Sequence, residues 1–198
     1  MNADEVSLIE EAKKGSRAAF NKLFSNEQKS VINLMFQLTG DIASAEDLTQ
    51  EAMIMAYKKI MGFRLESSFR TWLSKIAINL FRIHYREKRK HETLCLEKVR
   101  IPSTDDRPER IIIKRELQWC ILHNLQYHLS EKYRLALVLR DLHNLSYKEI
   151  SQIGDWNLVQ TKSYIHRARK KFKEQFINGK CKAFADDYAC VCEGILDL

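Results

Sequence analysis

Between Asp4 and Phe176 the apolar residues recur every three or four positions, the period of a helix with one buried face, and strand-type alternation is hard to find. The spacing predicts a short helix from Asp4 to Gly15, with Val6, Ile9 and Ala12 on one side. A second helix follows from Ser16 to Leu38, carrying Phe20, Leu23, Phe24, Val31, Leu34 and Met35 inward and stopping at Thr39-Gly40. In SAEDLTQEAMIMAYKKI, Ser44 and Asp47 have the spacing of a capping box. Leu48, Ala52, Met55 and Ala56 would then face the core, and Asp47, Gln50, Glu51 and Lys58 would point outward.

The stretch SFRTWLSKIAINLFRIHYREKRK, residues 68–90, is helical by the same test but carries three distinct faces. Phe69, Leu73, Ile76, Ala77, Leu80 and Ile83 form the expected core face. Lys75, Asn79, Arg82, Arg86 and Lys90 form a nearly all-cationic stripe, and Ile78, Phe81 and Tyr85 line a third edge. Cations at this spacing can follow phosphates, while neighbouring rings and an amide suit bases whose edges are not paired. A solvated basic face and buried rings are the competing explanation.

After Lys90 the period is lost in KHETLCLEKVRIPSTDDRPER, which holds both prolines of the chain and reads as an inter-domain linker. Helical periodicity returns from Glu109, with Ile112, Ile113, Leu117, Cys120, Ile121 and Leu125, and Ser130 caps a helix holding Tyr133, Leu135, Ala136, Val138 and Leu139. Then LSYKEISQIGDWNLVQTKSYIHRARKKF has the form of a helix-turn-helix: a helix from Ser146 to Ile153, a tight turn at Gly154-Asp155-Trp156, and a second helix capped by Asn157. Leu158, Thr161, Ile165, Ala168 and Phe172 are expected inside. Gln160, Lys162, Ser163, His166, Arg167 and Lys170 are left outside, with no acidic residue before Glu174. Such a face can read base edges near its start and hold phosphates further along.

Composition narrows this picture. The 198 residues suffice for one medium or two small domains, and 33 Lys and Arg against 26 Asp and Glu give a net charge of +7. That excess favours an acidic partner. No apolar run approaches the roughly 20 residues of a membrane span and none resembles a signal peptide, so a cytoplasmic location is expected. The 5 cysteines are irregularly spaced and odd in number, unlike a secreted disulfide framework. Neither a P-loop nor a HExxH motif is present, and no histidine has a visible nucleophile partner, so no enzyme and no cofactor are expected.

Taken together, EDLTQEAMIMAYKKIMGFRLESSFRTWLSKIAINL and LSEKYRLALVLRDLHNLSYKEISQIG with TKSYIHRARKKF resemble regions 2 and 4 of RNA polymerase sigma factors of the extracytoplasmic-function (ECF) group. The resemblance covers about residues 4–176 and implies an all-α protein of two small helical domains joined by a flexible linker, the second containing a helix-turn-helix. The implied division is 1–90 for the region 2-like domain, 91–107 for the linker, 108–176 for the region 4-like domain and 177–198 for a cysteine-containing extension. The implied function is a transcription initiation factor that binds core RNA polymerase, directs it to promoters and assists melting. Asp47, Gln50 and Glu51 match the motif that docks on the clamp helices of the largest subunit, and region 4 would meet the flap of the second-largest. Phe63, Arg64, Ser67 and Ser68 match the loop that holds a flipped-out base of the −10 element, and Lys75, Asn79, Arg82 and Arg86 the helix that contacts the melted strand. Asn157, Gln160, Lys162, Ser163, His166 and Arg167 match the helix that reads the −35 element of promoter DNA. An anti-sigma factor is a further partner common in this group.

Ile78, Ile83, Asp155-Trp156 and Tyr164 depart from the family pattern, which bears on promoter preference rather than on fold. The tail CKAFADDYACVCEG places Cys181, Cys190 and Cys192 where a soft metal or a redox change could act, although C-x-C lacks the paired knuckles of a zinc site. Packing of a short helix through Phe184, Tyr188, Val191 and Ile195 is the plainer expectation. The competing function is a free-standing helix-turn-helix regulator, which would need neither the Asp47–Glu51 face nor the aromatic-basic helix.

Overall fold

The computed structural model describes residues 3–91 and 108–178, and among these every regular element is helical. In chain order they are α1 (Ala3–Lys13), α2 (Arg17–Thr39), α3 (Ile42–Lys59), a single 3-10 turn (Ile60–Gly62), α4 (Phe69–His91), α5 (Pro108–His128), α6 (Glu131–Leu137), a π turn (Val138–Leu142), α7 (Tyr147–Gly154) and α8 (Leu158–Asn178). The chain divides into two compact units, Met1–Met35 with Ala43–Leu94, and Phe36–Ile42 with Cys95–Leu198.

In the first unit, Ile9, Phe20, Leu23, Phe24 and Val31 of α1 and α2 are buried together with α3 and α4. The side of α3 that is buried is built of small residues, Ala45, Ala52 and Ala56, with Leu48 between them and the Thr49 hydroxyl donating to the Ala45 carbonyl at 2.7 Å. Small side chains bring helix axes close, so α3 can be well packed and still turn a broad polar face outward. Beneath the 3-10 turn, Phe63, Phe69 and Trp72 form one aromatic cluster, with Phe63 and Trp72 centroids 4.9 Å apart. Arg70 bridges α4 to α2, donating to Ser30 Oγ at 3.0 Å and lying 3.7 Å from the Glu27 carboxylate. Burial holds the Glu27 carboxyl above its usual range, against the opposing pull of Arg70, and Glu5 adds to the rise.

Two expectations are corrected here. The third helix starts at Ile42, so Ser44 and Asp47 lie within it and make no capping box. On α4, Phe69, Leu73, Ile76 and Ala77 are buried as the spacing requires, but so are Ile78 and Phe81, which the sequence assigned to a stacking edge. Ile83, assigned to the core, is 47% exposed. Leu80 and Ile83 line a cleft of about 190 Å³ whose other walls are mostly polar, Ser44, Asp47 and Glu51 of α3 with Leu48 between them, so Ile83 is left partly in water.

In the second unit α8 runs against α5, α6 and α7. Leu125, Leu135, Ala136, Leu139, Ile150, Ile153, Thr161, Ile165, Ala168, Phe172 and Phe176 make its core. Pro108 opens α5 at a position where its missing N–H goes unused. Arg134 is only 2% exposed, and its guanidinium donates to the carbonyls of Leu38 and Gln126 at 2.8 and 2.9 Å and to the Gln126 side chain. Gln126 in turn donates to the Gln37 carbonyl at 3.0 Å. A buried cation survives because carbonyl and amide oxygens replace its lost water. After α6 the backbone widens into the π turn, where the His143 N–H reaches the Val138 carbonyl at 3.1 Å. That turn presents Arg140, 4.9 Å above the Tyr147 ring, and Asp141, which accepts two hydrogen bonds from Arg169 of α8.

Candidate nucleic-acid and protein interfaces

Helix α3 presents Asp47, Gln50, Glu51 and Lys58 to solvent, as their spacing requires. The same side continues into residues that the sequence reading passed over: Ile54 is 55% exposed, Tyr57 38% and Met61 71%. The signal was available, since 47, 50, 54, 57 and 61 follow the helical period on the side opposite Leu48, Ala52 and Ala56. An acidic-polar start that runs into an apolar stripe is the composition of a protein-binding face, with an anchor and a polar rim.

The loop from 63 to 68 holds its expected site residues in unequal ways. Phe63 is 3% exposed and packed against Phe69 and Trp72, so its ring supports the loop from beneath and is not offered to a base. Arg64 is exposed. Leu65 is held at φ 60°, an uncommon conformation for a residue with a branched side chain. Ser68 caps α4: its hydroxyl accepts from the Thr71 N–H at 3.1 Å and lies 2.9 Å from the Thr71 hydroxyl, and Ser67 Oγ donates to the Ser68 carbonyl at 3.3 Å. Along α4, Asn79 and Arg86 are exposed, Lys75 and Arg82 half-buried, and Arg86 Nε donates back to the Arg82 carbonyl at 3.2 Å. The four residues share one stripe. The rings expected beside them do not: Phe81 is in the core, and Tyr85 is half-buried with its centroid 5.6 Å from that of Phe81.

The helix-turn-helix is present in the second unit. Ser146 and Glu149 form a full capping box at the start of α7. The turn rests on Asp155 in the left-handed conformation at φ 55°. Gly154 precedes it because the Trp156 ring lies over its Cα, where an added Cβ would come within 2.6 Å of ring atoms. Trp156 meets the edge of Tyr164 at 5.0 Å, and Tyr164 meets Tyr133 at 6.0 Å, with the Lys132 ammonium 5.3 Å from the Tyr164 ring. Two of the departures from the family pattern, Trp156 and Tyr164, therefore belong to one brace that ties the turn to α8.

At the start of α8 the two amides cap each other: Gln160 N–H donates to Asn157 Oδ1 at 2.8 Å, and Asn157 N–H donates to Gln160 Oε1 at 3.0 Å. Lys162, His166, Arg167 and Lys170 are exposed and Ser163 half-exposed, as expected. Leu158 is not inside: it is 50% exposed, and Val159 beside it 78%. The helix begins at Leu158, and within its first turn Thr161 faces the core while Leu158 and Val159 face solvent.

Cys181, Cys190 and Cys192 lie outside the described residues, and among the described residues no cluster of His, Cys, Asp or Glu has the arrangement of a metal site. Cys120, buried in α5, is disulfide-bonded, which its spacing in the sequence did not signal. No helix among the described residues is long and apolar enough to cross a membrane.

Comparison with known proteins agrees with this architecture. Residues 23–91 match Sigma-70 region 2, and residues 122–172 match Sigma-70 region 4. The chain is 32% identical over 187 residues to the ECF RNA polymerase sigma-E factor of Escherichia coli, covering 84% of this chain and 91% of that protein. It is 31% identical over 175 residues to the RNA polymerase sigma-H factor of Pseudomonas aeruginosa, covering 84% and 90%. In fold it resembles CnrH, solved with the cytosolic domain of CnrY, with a TM-score of 0.65, 20% identity and coverage of 86% and 96%. It also resembles the sigma factor RpoE of Bartonella quintana, solved with the anti-sigma factor NepR, with a TM-score of 0.61, 23% identity and coverage of 78% and 94%. An all-helical pair of units, a region 2 match that contains the α3 and α4 faces and a region 4 match that contains the helix-turn-helix make this chain a member of the ECF group of RNA polymerase sigma factors, the subunits that start transcription at specific promoters.

Proposed function

We propose that this sigma factor works through three separate faces and has no catalysis of its own. The α3 face, with Asp47, Gln50 and Glu51 at its acidic-polar start and Ile54, Tyr57 and Met61 as its apolar continuation, docks on the clamp helices of the largest subunit of core polymerase. The α4 stripe of Lys75, Asn79, Arg82 and Arg86, with Arg64, Ser67 and Ser68 of the loop, holds the −10 element as it opens. Phe63 braces that loop. The exposed face of α8 reads the −35 element, with region 4 against the flap of the second-largest subunit. The working parts are 1–90, a linker at 91–107, 108–176 and an extension at 177–198, and the site of action is the cytoplasm. An anti-sigma factor is a further partner, a reading supported by the RpoE of Bartonella quintana having been solved in complex with the anti-sigma factor NepR.

The observation that carries this reading is the α3 face. A regulator that only binds duplex DNA has no use for an exposed acidic row running into Ile54, Tyr57 and Met61. The test is titration of the purified chain with sigma-free core polymerase by fluorescence anisotropy, followed by run-off transcription from a promoter pool. Saturable one-to-one binding that Asp47→Ala/Glu51→Ala weakens is the expected result. Binding unchanged by that double variant would remove the docking assignment, and no binding with duplex still bound would favour the free-standing regulator.

A further inference from the structure

Resting on the reading of α8 as the −35 helix, we propose that Val159 is a specificity residue that recognises the C5-methyl group of a thymine in the major groove. Val159 is 78% exposed, the most of any large apolar residue among those described, and stands in the first turn of α8. One, two and three turns on, the same row carries Ser163, His166 and Lys170, with Lys162 beside it, so Val159 heads the polar and cationic face and is not at its margin. A β-branched residue there lowers helix propensity and leaves its methyl groups in water, and at 78% exposure it has little packing to offset either cost. Breaches of local preference of this kind concentrate at working sites.

The chemistry of the first turn narrows what that site can read. When such a helix enters the major groove, its N-terminal residues approach the base edges. The amides that flank Val159 each accept at their side-chain oxygen from the other's backbone N–H, Asn157 Oδ1 from Gln160 and Gln160 Oε1 from Asn157, which ties both side chains to the helix start. Valine offers neither donor nor acceptor. Of the features displayed in the major groove, only the thymine methyl is apolar and matches it. Leu158, 50% exposed beside it, widens the apolar tip and keeps water from the contact. The rows of Lys162, Arg167 and Lys170 supply the phosphate attraction that brings this tip to DNA.

The experiment uses the full chain bound to core polymerase. Duplexes that it retains from a random-sequence pool are resynthesised with deoxyuridine replacing each thymine of the upstream element in turn, which removes the methyl group and nothing else. The expected result is one position where the exchange weakens binding about four-fold, the effect of one lost methyl contact, and where Val159→Ala abolishes that difference. Val159→Ser is expected to weaken binding to the thymine duplex and to bind the two duplexes alike. Equal affinity of the unaltered protein for every deoxyuridine duplex would overturn the proposal, as would a methyl effect that persists in Val159→Ala. Weaker binding of Val159→Ala to core polymerase without DNA would also overturn it, because the tip would then be a protein contact. Failure of the underlying reading looks different: no sequence would be enriched upstream, and Lys162→Ala/Arg167→Ala would leave retention of the pool unchanged.

Discussion

Arg134 shows how much can rest on a single side chain. Its charge is almost wholly out of water, and it is held by the Leu38 and Gln126 carbonyls and the Gln126 amide oxygen. Arg134→Ala strands those acceptors and opens a void, so a loss of about 3–5 kcal/mol is expected in urea unfolding. Arg134→Lys keeps the charge but not the planar fork, and recovers only part of it. Glu27 gives a smaller effect with a defined sign. Its folded-state carboxyl binds protons above the ordinary 4.5, so the native state holds more proton than the unfolded chain there, and stability falls as pH rises from 4.5 upward through the raised value. Glu27→Gln is expected to flatten that limb of the stability-pH profile, measured by thermal unfolding across the acid range. The burial of Arg134 could not be read from its sequence neighbourhood, because its acceptor Leu38 lies 96 positions away. Asn157 could be read, since a cap and its partner are three residues apart.

At the scale of elements, the turn before α8 carries the sharpest expectation. Gly154→Ala drives a methyl into the Trp156 ring and is expected to cost about 1–3 kcal/mol, measured by chemical unfolding. Trp156→Ala is destabilising too, through its lost contact with Tyr164, but the double variant is expected to be less unstable than the sum, because the clash needs both partners. The helices themselves were legible, since a period of about 3.6 residues survives any tertiary context. Their rotation was less so. On α4 two apolar rows lie side by side, and the period alone does not say which goes inside: Ile78 and Phe81 are buried, while Ile83 lines a cleft against α3. On α3 the alternation of Ala45, Leu48, Ala52 and Ala56 with charged residues left a single choice. That is why the acidic face was found from sequence and the aromatic edge was misplaced.

For the molecule as a whole, the contrast is between a face on α3 that begins acidic and faces on α4 and α8 that are basic, in a chain of net charge +7. Contacts of the basic faces with phosphates release counterions, so retention of promoter duplex by the polymerase-bound protein is expected to fall with a steep log-log slope in salt. Lys162→Ala/Arg167→Ala is expected to flatten that slope by about two units, because each phosphate contact contributes roughly 0.9. An unchanged slope in a filter-binding salt series would mean that neither cation touches the backbone.

The brace of Trp156 and Tyr164 also limits how such a protein can be re-engineered. The usual way to redirect a promoter reader is to transplant the outward residues of its recognition helix from a relative. Here the helix is seated by an indole from the turn and a phenol from its own second turn, which fit only over a bare Gly154. A graft that replaces Tyr164 leaves the indole without its ring partner, and one that replaces Trp156 leaves the phenol unsupported. Residues 154–164 therefore form an indivisible cassette, and chimeras with boundaries inside it would confound altered seating with altered base preference.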